Sequence, residues 1–375
     1  MKIDLKVRSP IHIGSGDELS RHEYQFEDGL AFVPDIRTYF RDNPNEVDAF
    51  VTAIERSEPV NHIFDDGYSR YTLDSSWVNP DSIRGSVSVA LKDGSDVPYI
   101  PGTSLKGWIR TTLAYRALEN GASLHRVNKQ AINDLFRVGK GETRDDLLRC
   151  VTVQDAHPVS EAELALCEIK TYSLDRSGTL RERGSDYAEC LTRGTEFTTD
   201  VSVNKKLLEK LIDEHDGDAT RVFGDDLTKR GILATISEAS VDFQEAVIRE
   251  DQRLFDHRSV GAIYSSLSNS GPLFRLGSGT GHHSKTVAMA LPEADRIRAN
   301  VGAANNKLKH AKCGGEVEHG RRGDRTLSCK RCDETGIQPD FDNVIRFPKT
   351  KRFVVYNGEP LHLLGWVKAS FRGPL

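Results

Sequence analysis

Tyr99-Ile100-Pro101-Gly102-Thr103-Ser104-Leu105-Lys106-Gly107-Trp108-Ile109-Arg110 is the stretch whose reading decides the fold. Val97 to Ile100 reads as a short strand, and Pro101 closes it because proline has no N–H to give a ladder. Gly102 then opens a helix, with Thr103 or Ser104 predicted as N-cap, its side-chain oxygen accepting from the first free backbone N–H groups. Leu105, Ile109 and Leu113 recur at helical spacing and form an apolar stripe. Lys106 and Arg110, four residues apart, share another face. Gly121 is the expected stop.

Working back toward the start, Lys2 to Ile13 alternates Ile3, Leu5 and Val7 with polar residues, as a half-buried strand does. It ends at the turn Gly14-Ser15-Gly16. Tyr24–Phe26 and Leu30–Val33 flank Asp28-Gly29, a hairpin signal, and Asn45 to Ser57 places Val47, Phe50, Val51 and Ile54 at helical spacing. This alternation of strands and helices predicts an α+β fold of split βαβ type.

Working forward, Cys150 to Asn204 is strand-rich, with a polar tip from Asp175 to Asp186 that carries Arg176, Arg181 and Arg183. The flanking runs Ile169–Leu174 and Phe197–Val203 are expected to form a long hairpin or an insertion. Helical patterns return at Lys205–Glu214 and Val241–Phe255. Lys351–Tyr356 and Leu361–Val367, joined by Asn357-Gly358, predict a hairpin with a type I′ turn.

With 375 residues, the chain is long enough for two domains. Its 37% hydrophobic and 29% charged residues are those of a soluble globular protein. No apolar run approaches a membrane span, and MKIDLKVRSP lacks the apolar core of a signal peptide, so a cytoplasmic protein with no membrane partner is expected. A net charge of −5 argues against a uniformly basic nucleic-acid binder, but leaves room for one local basic groove.

Six cysteines in such a chain point to metal or burial rather than to disulfides. His310-Ala-Lys-Cys313 and Cys329-Lys-Arg-Cys332, separated by 15 residues, have the layout of a zinc ribbon. Each two-residue spacer lets a pair of ligands point inward from one tight turn. His310, Cys313, Cys329 and Cys332 make a closed set for structural Zn2+, with His319 as the alternative histidine. Cys150, Cys167 and Cys190 lack such spacing and read as small buried hydrophobes.

Arg275-Leu-Gly277-Ser-Gly279-Thr-Gly281-His-His-Ser284-Lys285-Thr286 has the look of a phosphate loop. It is not a Walker A motif, which needs glycine where Ser284 stands. What remains is that glycines let backbone N–H groups approach a phosphate, a helix entrance attracts it, and Lys285 adds a charge. The 102–110 junction offers the same parts. Two such sites suit a ligand with repeated phosphates.

Four segments carry a family resemblance. Ser9 to Glu18 resembles the opening of RAMP-superfamily proteins of the Csm group. Tyr99 to Gly107 with Arg110 is similar to that superfamily's IPGSSLKG…R segment, and Arg275 to Thr286 to its C-terminal glycine-rich loop. Phe347 to Arg352 with Gly365-Trp366-Val367-Lys368 looks like the tail of the fifth Csm subunit of type III-A CRISPR effector complexes. His282-His283, where a more apolar pair is expected, and the cysteine-bearing insertion depart from the pattern.

The resemblance implies a RAMP fold of ferredoxin-like, RNA-recognition-motif-like domains: 1–204, then 205–375 with the ribbon at 305–339 inserted. It also implies a non-catalytic subunit that binds CRISPR guide RNA and caps its 3′ end. Its expected partners are other Csm subunits, above all the repeated backbone subunit, with host nucleases recruited for guide maturation. The RNA-binding residues expected on this basis are Gly14, Ser15, Ser104, Lys106, Arg110, Gly277, Gly279, Lys285 and Thr286. The competing expectation is a RAMP endoribonuclease, for which His12, Asp28 or Asp35 are the candidate groups.

Overall fold

Ile3, Leu5 and Val7 are 2%, 1% and 0% exposed, whereas Lys2 and Lys6 face solvent and Asp4 is half-buried. The opening alternation therefore builds a strand with one buried face. The computed structural model of the chain describes residues 2–56, 66–122, 129–138, 143–175, 177–215, 219–267, 272–292, 309–319, 326–337 and 348–372. The strands of its first half are β1 (Lys2–Val7), β2 (Gly14–Ser20), β3 (Gln25–Glu27), β4 (Leu30–Pro34), β5 (Ser69–Asp74) and β6 (Ser86–Ala90). Then come β7 (Val151–Val153), β8 (His157–Pro158), β9 (Leu164–Leu174), β10 (Leu180–Leu191), β11 (Glu196–Val203) and β12 (Leu273–Arg275). The last are β13 (Val317–His319), β14 (Leu327–Cys329), β15 (Thr350–Tyr356), β16 (Glu359–Leu363) and β17 (Trp366–Arg372). The helices are α1 (Ile36–Asp42), α2 (Val47–Glu55), α3 (Gly102–Glu119), α4 (Lys129–Asp134), α5 (Lys205–His215), α6 (Thr220–Phe223), α7 (Lys229–Leu254) and α8 (Arg258–Leu267).

Two sheets carry this α+β fold. One runs β12-β17-β1-β11-β7, with β8 also on β11. The other runs β2-β6-β10-β9-β5-β4-β3, and β15, bearing β16, pairs with the later half of β9. Both sheets thus take strands from before and after residue 204. β1 lies between β11 and β17, antiparallel to each, so the two ends of the chain meet in one sheet.

The hairpins with local turn signals form as expected. Asp28 and Gly29 have φ of 47° and 79°, and Asn357 and Gly358 have 49° and 80°, the left-handed pair that a type I′ turn needs. Two longer-range expectations are corrected. Ile169–Leu174 does not pair with Phe197–Val203: β9 pairs with β10 through Leu180–Leu191, and β11 joins β1 in the other sheet. Most of the predicted polar tip is therefore strand, and Arg176 lies outside the described residues. The run Leu361–Val367 is also broken, because Gly365 (φ 85°) turns the chain from β16 into β17 and across to the first sheet.

Helix α3 lies at the centre of the main core. Leu105, Ile109 and Leu113 are 2%, 0% and 0% exposed, as the stripe predicted. Trp108 stacks on Phe274 of β12 with ring centres 3.9 Å apart, and Tyr115 meets Phe243 of α7 at 5.2 Å. These two contacts fix the rotation of α3 about its axis. No helix among the described residues is long and apolar enough to cross a membrane.

Candidate nucleic-acid groove and metal centre

The entrance to α3 is built by close backbone approach. A Cβ on Gly102 would lie 2.3 Å from the Val153 carbonyl oxygen, so only glycine fits there. Its N–H donates to Asp155 Oδ1 at 2.7 Å. Pro101, in extended conformation, is the N-cap residue, and neither Thr103 nor Ser104 makes the capping bond expected of it. The side chain that satisfies the first turn comes instead from 53 residues downstream.

With Trp108 turned onto Phe274, the face of α3 left open carries Ser104, Gly107 and Thr111. These line one wall of a groove of about 560 Å³. The opposite wall is Ile13-Gly14 and the glycine-rich segment from Arg275 to Lys285. That segment is pinned beside the first strand: Ser278 N–H donates to the His12 carbonyl at 2.8 Å, and Leu276 N–H to that of Gly365 at 2.8 Å. Gly277 (φ 86°) permits the approach, since a Cβ would sit 2.3 Å from the His12 carbonyl oxygen.

The groove therefore brings together Gly14, Ser104, Gly277 and Lys285, which lie far apart in sequence. It adds Arg275, Ser278, Thr111 and Trp108, which sequence reasoning did not single out as ligands. Arg275 had one signal, its place directly before the loop; Thr111 and Trp108 had only their helical spacing from Ser104. Trp108 Nε1–H is buried with no hydrogen-bond partner among the described residues. Lys285 is exposed, and partial desolvation together with Arg275 holds its pKa below the usual lysine value. No carboxylate lines this groove among the described residues.

The other candidates lie elsewhere. Lys106 and Arg110 occupy a different face of α3. Arg110 pairs with Asp146 at 2.9 Å, donates to Asn133 at 3.2 Å and lies 4.1 Å over the Phe136 ring. Ser15 accepts from Asp17 N–H at 3.1 Å, and Thr286 donates to the His282 carbonyl at 3.1 Å. Gly279 is on the far side of the loop, where it lines two smaller recesses.

His12 is 6% exposed, and its Nδ1 lies 2.8 Å from the Glu189 carbonyl oxygen, so the neutral ring donates there. Burial lowers its pKa. The Glu189 carboxylate, fully buried on β10, accepts from Tyr24, Tyr71, Ala90 N–H and Lys92. Asp35 caps α1, accepting from Thr38 N–H at 3.0 Å and Thr38 Oγ1 at 2.6 Å, bonds that lower its pKa.

The ligand atoms of His310, Cys313, Cys329 and Cys332 lie within 4.8 Å of one another and could hold a metal ion. Cys313 Sγ is 3.4 Å from Cys329 Sγ, and His310 Nδ1 is 3.6 Å and 3.3 Å from Cys313 and Cys332 Sγ. A tetrahedron around zinc with the usual Zn–S and Zn–N lengths has edges of about 3.5–3.8 Å, so these separations are close to those such an ion needs. Gly315 N–H and Arg331 N–H point at the Cys313 and Cys329 sulfurs at 3.3 and 3.4 Å. His310 Nε2 lies 3.7 Å from the Glu334 carboxylate, beyond hydrogen-bond distance, and Glu334 itself accepts from Lys312 at 2.8 Å. Among the described residues, Val317, Leu327, Cys329 and Ile337, with Cys313 against them, form the apolar cluster here.

The RAMP superfamily model matches residues 4–278. The CRISPR system Cms protein Csm5 of Streptococcus thermophilus is 26% identical over 204 residues, 46% of this chain and 56% of that protein. The Mycobacterium tuberculosis protein of the same name is 22% identical over 344 residues, 76% of this chain and 82% of that one. Among solved structures, a chain of a Csm–crRNA–target RNA ternary complex of a type III-A system superposes with a TM-score of 0.64. It is 22% identical, with 99% of this chain and 100% of that chain covered. The crystal structure of T. onnurineus Csm5 gives 0.59 at 20% identity, with 97% and 99% covered. The family match over most of its length, together with this shared fold, shows that the chain belongs to the RAMP superfamily.

Proposed function

We propose that the chain is a non-catalytic guide-RNA-binding subunit of a type III-A Csm complex. In this reading it caps the 3′ end of the guide beside the repeated backbone subunit, and supports guide maturation by recruiting host nucleases in the cytoplasm. The observation that carries the reading is the single groove. Two glycine-lined junctions, far apart in sequence, converge on it with Lys285 and Arg275 and with no opposing carboxylate among the described residues. Such a lining takes successive backbone phosphates and reads no base edge. The likeness to Csm5 over nearly the whole chain supports the same role. On this reading the fold consists of two ferredoxin-like units, divided near residue 204, whose strands share both sheets.

The cluster at 310–332 is proposed as a structural zinc site. Its four ligands are a complete set that leaves no position open for water or substrate.

The experiment is RNA binding by the purified chain over a range of salt. Lys285→Ala should weaken affinity equally for all sequences and lower the slope of log K against log[salt] by about one. An unchanged slope in a folded variant would sink the groove reading. Repeat RNA incubated with the same preparation tests the non-catalytic part. Specific cleavage that disappears in His12→Ala or Asp35→Ala would replace it with the endoribonuclease reading.

A further inference from the structure

Beside the glycine-rich loop, and sharing Arg275 with the groove, lies a recess of about 230 Å³ whose lining includes Asp251, Arg275, His283, Lys351, the loop backbone from Gly279, and Arg352, which pairs with Asp186. Asp251, Arg275 and Lys351 are 3%, 8% and 8% exposed, and they come from α7, β12 and β15. Asp251 is the one carboxylate in the lining among the described residues. It is engaged by the Lys351 ammonium and the Tyr264 hydroxyl, by Arg275 Nη1 at 3.6 Å and by His283 Nδ1 at 3.4 Å. The nearby Glu250 is taken up by a two-pronged pair with Arg253 at 2.8 and 2.9 Å.

Two buried cations thus share one carboxylate. A buried charge without a counter-charge is costly, and proteins relieve the cost by pairing it or neutralising it. The imbalance is felt at Lys351, whose pKa is pushed down to about 8 by burial and, against the pull of Asp251, by Arg275.

Two further features belong to the same lining. His283 is 2% exposed, and its Nε2 has no hydrogen-bond partner among the described residues. The N–H groups of Gly279, Thr280 and Gly281 likewise make no hydrogen bond to another described residue. Gly279 and Gly281 have φ of 72° and 87°. Successive N–H groups in a loop of this kind form a concavity that receives an anion.

We propose that this recess is a binding site for one compact oxyanion with the chemistry of a phosphate group, supplied by an RNA terminus or by free phosphate. The anion completes the charge balance of Arg275 and Lys351 and accepts from His283 Nε2 and the loop N–H groups. The site itself stands without the groove reading; placing an RNA end in it rests on that reading.

The test is thermal unfolding of the full chain in inorganic phosphate against chloride at equal ionic strength. Phosphate should raise the Tm of the wild type. His283→Asn keeps a donor at the Nδ1 position toward Asp251 but lacks the reach of Nε2, so the rise should vanish. Lys351→Met, which removes the excess cation while leaving Asp251 paired with Arg275, should fold and also lose the response. No phosphate-specific rise in the wild type, or an equal rise in both variants, overturns the proposal.

A second arm compares RNAs ending in a 3′-phosphate and a 3′-hydroxyl. A preference of about tenfold for the phosphate end, the worth of one charge-assisted hydrogen bond, that is lost in His283→Asn assigns the anion to an RNA terminus. Equal binding of both RNAs, with phosphate stabilisation intact, assigns free phosphate. Loss of all RNA binding with that stabilisation intact counts against the groove and leaves the recess standing.

Discussion

Glu189→Gln should be among the most damaging conservative changes in the chain. The carboxylate is 0% exposed and has four donors: Tyr24 and Tyr71 hydroxyls on Oε1 at 2.9 Å each, and Ala90 N–H at 2.9 Å and Lys92 Nζ at 2.6 Å on Oε2. The Lys92 side chain is 6% exposed. An amide keeps the shape, but it removes the charge and turns one acceptor into an NH2 donor that faces other donors. Lys92, left with only the Ala90 carbonyl at 3.2 Å and the Tyr71 ring at 3.9 Å, is then a buried cation without a counter-charge, a situation that costs about 3–5 kcal/mol. Adding Lys92→Met removes the stranded charge. The double variant should lose only about 1–2 kcal/mol, for the hydroxyl and N–H donors that the introduced amide cannot satisfy. The assay is urea unfolding of wild type, both single variants and the double variant, followed by circular dichroism and tryptophan fluorescence. If Glu189→Gln costs under about 1 kcal/mol, or the double variant costs the sum of the singles, the charge argument fails.

Four further outcomes follow from the same geometry. Burial holds His12 below its ordinary pKa of 6.5, so below that pH the unfolded chain takes up a proton that the folded chain resists. Its contribution to stability is complete above 6.5 and declines as pH falls; His12→Asn, which keeps a donor for the Glu189 carbonyl, should flatten that part of the pH–stability curve. Lys106→Ala, off the groove, should leave the salt slope of RNA binding unchanged, in contrast to Lys285→Ala. Gly277→Ala meets both a left-handed φ, costing about 1–3 kcal/mol, and the His12 carbonyl. Gly281→Ala meets only the φ, with nothing within 4 Å, so it should be the milder change in denaturant midpoint. On the proposed zinc reading, a strong chelator should release about one zinc per chain and abolish amide protection over 309–319 and 326–337, because so small an apolar cluster cannot hold these stretches. Far-UV signals of the two sheets should persist.

The sequence alone determined the features whose physics is local. The Asp28-Gly29 and Asn357-Gly358 turns, the buried stripe of α3 and the pairing of His310-x-x-Cys313 with Cys329-x-x-Cys332 each depend on residues a few positions apart, and all were legible. So was the family, since its motifs are short and keep their order.

Tertiary structure decided whatever depends on partners brought from afar. Trp108 seated on Phe274 set the rotation of α3, and so put Ser104 and Thr111 in the groove and Arg110 onto Asp146. Strand β11 chose β1 over β9 because sheet register is settled by which faces find a core, and both runs read alike as isolated strands. Asp251, Arg275, His283 and Lys351 read singly as ordinary polar residues. Their meaning comes from being excluded from water together, when each charge must find its balance in groups the chain folds around it.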